Sequence, residues 1–163
     1  MIKKFFLLIT CMFLVGCNSK EKQIDEFKEI SYNVPSVFKK DDDYTFSKYY
    51  DYEENNVNCT ISFSASDKSI YKNKEDWFKG TFTFTLNDKV SDLKEEEING
   101  NKVLFIEKKS EKVTDYYYGF ESTNYYYLIN YNIYDYKDGD REDIDTNKCF
   151  TLRENIISSV KLK

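Results

Sequence analysis

Residues 57–64, VNCTISFS, alternate apolar and polar side chains without a break. Val57, Cys59, Ile61 and Phe63 share one parity, and Asn58, Thr60, Ser62 and Ser64 the other. A period of two sends alternate side chains to opposite faces of a pleated strand, so this stretch predicts a half-buried β-strand. The run NYYYLINYNIYD repeats the pattern, with Tyr125, Tyr127, Ile129, Tyr131 and Ile133 on one face. Two such strands require an opposing layer to cover their apolar faces, and the rest of the chain can be read as supplying it. The composition agrees: 15 Tyr and 13 Phe suit a pleated surface, while 5 Gly and 1 Pro leave few breaks.

Around these strands the order of elements can be followed. EISYNVP, 29–35, reads as a strand stopped by Pro35, and YTFSKYYDY, 44–52, as another after an acidic turn at Asp41, Asp42 and Asp43. NKEDWFKG, 73–80, predicts a short helix: Asn73 is the cap, Glu75 and Asp76 suit the first turn, and Trp77 and Phe78 can dock on a sheet. TFTFTL, 81–86, fits either a strand or a continuation of that helix. Asn99-Gly100 between extended runs is a strong hairpin signal. Two long aromatic strands follow, joined near residues 121–124. Cys149, Leu152, Ile156 and Val160 then recur at helical spacing over 146–159. The fold class expected is α+β: an antiparallel sheet of about five to seven strands, packed by an N-proximal short helix and a C-terminal helix.

The chain begins with Lys3 and Lys4, followed by an apolar run of about eleven residues, too short for the roughly 20 that span a bilayer. A basic start, a short apolar middle and small closing residues are the layout of a secretory signal. The tetrapeptide Leu14-Val15-Gly16-Cys17 resembles the lipobox of bacterial lipoproteins. That resemblance implies a diacylglycerol thioether on Cys17 and cleavage after Gly16, placing the chain on the extracytoplasmic face of a bacterial cell membrane. Two acyl chains anchor stably where one holds only marginally. The expected organisation is a signal peptide at 1–16, a lipidated cysteine and polar linker at 17–27, and a single α+β domain at 28–163. A second likeness rests on SYNVP, the INGNK hairpin, the paired aromatic strands and the closing ENIISSVKL. Together these resemble PsbP-like domains, which implies a fold and an extracytoplasmic setting rather than a reaction.

Loss of residues 1–16 leaves 22 basic against 29 acidic residues. A domain this acidic is a poor partner for nucleic acid, whose binding depends on Lys and Arg. The absence of histidine excludes Ser-His-Asp and Cys-His catalysis and any His-ligated metal. No Gly-rich phosphate loop or nucleophile-elbow serine is present, and no cofactor is implied. Cys59 and Cys149 both fall on apolar faces, and in an oxidising compartment they are expected to form a disulfide. In the loop DYKDGDREDID, Asp138, Asp140, Glu142, Asp143 and Asp145 offer hard oxygen ligands of the kind calcium takes. Against it, Gly139 and Lys137 depart from the EF-hand pattern, and a solvated turn is the simpler reading. Tyr49, Tyr117, Tyr126 and Tyr134 have the parity opposite to the core-facing residues and would form an aromatic surface if no helix covered that face. The functional expectation is a non-enzymatic binding or envelope-support role for a membrane-anchored domain, with a protein or glycan partner. The alternative is a glycan- or cell-wall-active enzyme using two carboxylates.

Overall fold

The computed structural model describes residues 23–54, 57–81, 89–90, 93–134 and 146–163. The lipobox, the acidic loop 135–145 and most of the ambiguous stretch 81–86 lie outside the described residues. Within them the chain runs β1 (Gln23–Phe27), β2 (Ile30–Val34), β3 (Lys39–Tyr44), β4 (Ser47–Glu54), β5 (Val57–Asp67), a single 3-10 turn, α1 (Lys74–Thr81) and β6 (Lys89–Val90). There follow β7 (Lys94–Ile98), β8 (Asn101–Lys109), β9 (Val113–Glu121), β10 (Tyr125–Tyr134), α2 (Thr146–Ile157) and β11 (Lys161–Leu162).

The architecture is α+β and its strand pairings are antiparallel, but the large sheet has eight strands, more than the five to seven expected. Its order is β3-β4-β5-β10-β9-β8-β6, with β7 also on β8. A separate small sheet, β1-β2-β11, was not anticipated. Three misreadings account for the difference. The expected strand 44–52 is broken by a turn at residues 45 and 46, so β3 and β4 form a hairpin and the acidic run belongs to β3. An edge strand keeps its charges in water, and the charges deter edge-to-edge pairing, so acidity was no evidence for a turn. The last five residues of the expected linker are β1. The two residues of β11 are too few to show a period.

The inner face of the large sheet carries the main core. Cys59, Ile61 and Phe63 of β5 lie beside Ile129, Tyr131 and Ile133 of β10 in register. The small sheet and α2 cover this face, contributing Phe27, Ile30, Tyr32, Val34, Cys149, Ile156 and Ile157. Tyr32 lies flat on Phe63, with ring centroids 3.7 Å apart. On the opposite face, α1 presses Trp77 and Phe78 against Leu104, Ile106 and Tyr126. Asn73 caps α1 as expected, its side chain accepting the Asp76 amide at 2.7 Å. Gly119 permits this close approach, because a Cβ there would lie 2.7 Å from the Phe78 ring.

Polar contacts join the layers. Asp25 on β1 accepts the Lys48 ammonium at 2.8 Å and the Tyr50 hydroxyl, and Tyr50 in turn meets Tyr32 at 3.2 Å. Lys48 is only 8% exposed and also donates to the Glu26 carbonyl at 2.7 Å. Glu29, in the β1–β2 turn, accepts from the Ser122 hydroxyl at 2.6 Å and the Asn124 amide at 3.1 Å in the β9–β10 turn. Asn99 and Gly100 form the expected hairpin with φ of 52° and 75°, values suited to a primed turn. The Asn99 side chain donates to the Ser158 and Val160 carbonyls at 2.6 and 2.9 Å, closing the end of α2.

Burial pushes the Asp25 carboxyl up, but hydrogen bonds from Lys48, Tyr50 and the Glu26 amide outweigh it and hold the group below the ordinary carboxylate value. Its contribution to stability is therefore present above the unfolded value near pH 4 and is lost as pH falls through the lowered folded value. Asp25→Asn should destabilise the fold by about 3 kcal/mol at pH 7, since a buried ammonium loses its counter-ion. Urea denaturation should show that cost shrinking below pH 4, and Asp25→Asn combined with Lys48→Met should recover much of it.

Candidate functional site

Antiparallel register places a polar field on the outer face of the large sheet, beside α1. One row crosses five strands as Tyr49, Ser62, Asn130, Tyr117 and Ile106. The next row runs Asp51, Thr60, Asn132, Asp115 and Lys108. A third runs Ser47, Ser64, Leu128, Gly119 and Leu104. The apolar residues of these rows lie toward β8 and β9, where α1 packs. On β4 and β5 the face carries hydroxyls and the Asp51 carboxylate, and on β10 the Asn130 and Asn132 amides. Three strand steps of ~4.8 Å separate the Tyr49 and Tyr117 positions by about 14 Å.

Two amides stand out in this field. The Asn132 side-chain nitrogen donates to the Thr60 hydroxyl at 3.1 Å, but its oxygen, and that of Asn130, are buried without a hydrogen-bond partner. Buried acceptors are normally satisfied, and leaving one unmade costs about 1–3 kcal/mol. Two neighbours on a central strand therefore carry acceptors that are shielded from solvent and have no partner. At the margin, Tyr44 is 56% and Tyr49 42% exposed, and their rings meet edge to face at 6.1 Å. Phe46, at the same hairpin, is exposed beneath the Lys28 ammonium, 4.9 Å from the ring centroid.

The expected aromatic surface is thus divided. Tyr126 is buried under Trp77, with centroids 5.1 Å apart, and Tyr117 packs against the same cluster, because α1 covers that half of the face. Tyr134 is half-buried, and Tyr49 is on the open half. Tyr44, Phe46, Asn130 and Asn132 were not anticipated. The signal for the two asparagines is their outer parity on a central strand whose inner parity is wholly apolar. Tyr44 and Phe46 could be found only by recognising the turn at residues 45 and 46.

Cys59 and Cys149 come together as expected, both fully buried, and are present as free thiols in hydrogen-bonding contact rather than as a bond. Contact with Cys149 holds the Cys59 thiol below its ordinary value, opposed by burial and aided by the Tyr131 hydroxyl and the Lys148 charge. Tyr131 also donates to the Cys149 carbonyl at 2.9 Å, and Lys148 to the Tyr52 hydroxyl at 2.6 Å. The carboxylates of the expected ion site, Asp138, Asp140, Glu142, Asp143 and Asp145, fall outside the described residues. Among the described residues no group of three or more Cys, Asp or Glu is placed to hold a metal, and no helix is long and apolar enough to cross a membrane.

No family model and no curated protein matches the chain. Solved structures do. One, a crystal structure from Bacteroides thetaiotaomicron VPI-5482, is 12% identical and superposes with a TM-score of 0.57 over 88% of this chain. That match takes in 49% of the other chain, so this chain spans about half its length. At this identity the likeness is one of fold alone.

Left without a partner, the two shielded amide oxygens lower stability. Asn130→Leu should raise the free energy of unfolding by about 1 kcal/mol, because the apolar side chain removes an unpaired acceptor. Urea denaturation checks this, and a loss of stability would mean that Asn130 is satisfied in solution.

Proposed function

We propose that the chain is a lipid-anchored, extracytoplasmic binding domain, without catalytic activity, whose outer sheet face takes a polyhydroxylated ligand such as an envelope glycan. The observation that carries this reading is the exposed Tyr44–Tyr49 pair at the margin of the rows that hold Ser47, Ser62, Ser64 and Thr60. Sugars present C–H faces to such rings, and the neighbouring serines and threonine can donate to or accept from their hydroxyls. The anchor itself rests on Leu14-Val15-Gly16-Cys17. With β1 beginning at Gln23, only residues 18–22 separate the fold from Cys17, a reach of roughly 20 Å at full extension. The domain would then work close to the membrane surface. The PsbP-like resemblance belongs with this reading and rests on the sequence motifs SYNVP, INGNK and ENIISSVKL.

A carboxylate-pair enzyme finds less support. Asp51 has its carboxyl raised, by burial and by the charge of Asp41, but the two lie on the edge hairpin β3–β4, where both are exposed. Catalysis by such a pair needs an enclosed site around the scissile bond.

Full-length lipidated protein in detergent should co-sediment with purified peptidoglycan sacculi and be released by soluble glycan fragments. Tyr49→Ala and Tyr44→Ala should each weaken binding at least fivefold, while Tyr49→Ala shifts stability by no more than about 0.5 kcal/mol. Binding unchanged in both variants would remove the outer face from the account. Export has a separate consequence: oxidation joins Cys59 to Cys149. Denatured, unreduced protein taken from cells should then show no reactive thiol from this pair, and two reactive thiols would exclude the bridge.

A further inference from the structure

A cleft of about 380 Å3 lies between the β7–β8 hairpin and the last turns of α2, on the inner side of the large sheet and away from the polar field. Ile98, Ile157 and Tyr118 give it an apolar lining, and Glu96, Glu97 and Glu154 bring exposed carboxylates to it. Arg153 also lines the cleft, but its guanidinium lies over the Tyr116 ring at 4.0 Å and is 3.9 Å from Glu154. Three carboxylates against one stacked guanidinium leave the cleft acidic.

Tyr118 supplies an independent observation. The residue is 5% exposed, its side chain lines the cleft, and among the described residues no hydrogen bond engages its hydroxyl. Burial pushes this phenol up to about 12, with the Arg153 charge opposing and the Glu96 charge assisting. It therefore stays neutral at working pH, with both lone pairs open to an incoming donor. Unlike the Asn130 and Asn132 oxygens, this hydroxyl is not sealed from solvent, and the cleft is where it emerges.

We propose that this cleft binds a lysine side chain carried by an extended segment of a partner polypeptide. The aliphatic stem lies along Ile98, Ile157 and the Tyr118 ring. The ammonium's three donors are met by Glu96, Glu154 and the Tyr118 hydroxyl. A polypeptide source fits because β7 borders the cleft and, among the described residues, pairs only with β8. A strand added along its outer edge would send every second side chain to the face that Glu96 and Ile98 share. The consecutive Glu95, Glu96 and Glu97 of that edge complement a basic strand and repel the same edge of another copy.

The test uses the full-length protein in detergent and a fluorescein-labelled pentapeptide of alternating threonine and lysine, followed by anisotropy. The labelled peptide should bind, and a version with acetylated lysines at least tenfold more weakly. Tyr118→Phe and Glu96→Gln should each weaken binding at least fivefold. Glu95→Gln, whose side chain pairs with Lys102 at 3.1 Å outside the cleft, should leave it within twofold. Equal affinity for the two peptides, or an equal loss in Glu95→Gln and Glu96→Gln, would show diffuse charge attraction and overturn the proposal. So would an absence of binding, or displacement of the peptide by butylammonium at equal concentration, which would assign the cleft to free amines.

Discussion

The structure depends on one buried ion pair, Lys48 with Asp25, 2.8 Å apart between the large sheet and the small one. Lys48 points into the core side of β4, where the parity of Tyr50 and Tyr52 would lead one to expect an apolar residue. Such a pair is costly to desolvate and contributes little net stability over an apolar replacement, but breaking it by removing one partner is expensive. Its main effect here is one of placement. The seating of β1 brings the part-buried Asp25 carboxylate to that ammonium, and the Tyr50 hydroxyl and the Glu26 carbonyl complete the contacts. With β1 seated, Phe27 enters the core and Glu29 reaches the β9–β10 turn. β2 then offers its free edge to β11, which fixes the end of α2.

The two faces of the large sheet are consequently unequal. The inner face is covered by the small sheet and α2. The outer face is covered over β8 to β10 by an eight-residue helix, whose fit depends on the missing side chain at Gly119. Beyond that helix the sheet turns polar rather than apolar, as a surface in contact with water or a hydrophilic ligand must. Two asparagine oxygens remain unused there. That asymmetry separates a polar face suited to hydroxyl-rich ligands from an acidic cleft on the other side, so the two proposed sites would not compete for the same surface.

Much of the framework was legible because alternation is a strong signal in long central strands. β5 and β10 announce their inner faces residue by residue, Asn99-Gly100 marks its turn, and Asn73 caps the helix that carries Trp77 and Phe78. What stayed hidden shares one physical cause: the position of a charge says little about its burial until its partner is known. Asp25 and Glu26 looked like linker, Lys48 carried no signal of its own, and the acidic β3 looked like a turn. The divided aromatic surface has a different origin. The parity of Tyr117 and Tyr126 was read correctly, but no local pattern reveals which part of a sheet face a distant helix will cover. The unpaired asparagine oxygens and the open Tyr118 hydroxyl are likewise properties of assembled neighbours, not of spacing.

The central claim is that the small sheet is an integral layer, locked to the large one by Asp25 and Lys48, and that the folded domain therefore includes Gln23–Phe27. Native-state hydrogen exchange across a urea series tests it most directly. The account predicts that the bonded amides of β1 and β2 exchange with the same opening free energy as those at the centre of β5 and β10, and converge on the global unfolding line. Exchange of β1 and β2 through a small opening insensitive to urea, while the large sheet remains protected, would contradict it.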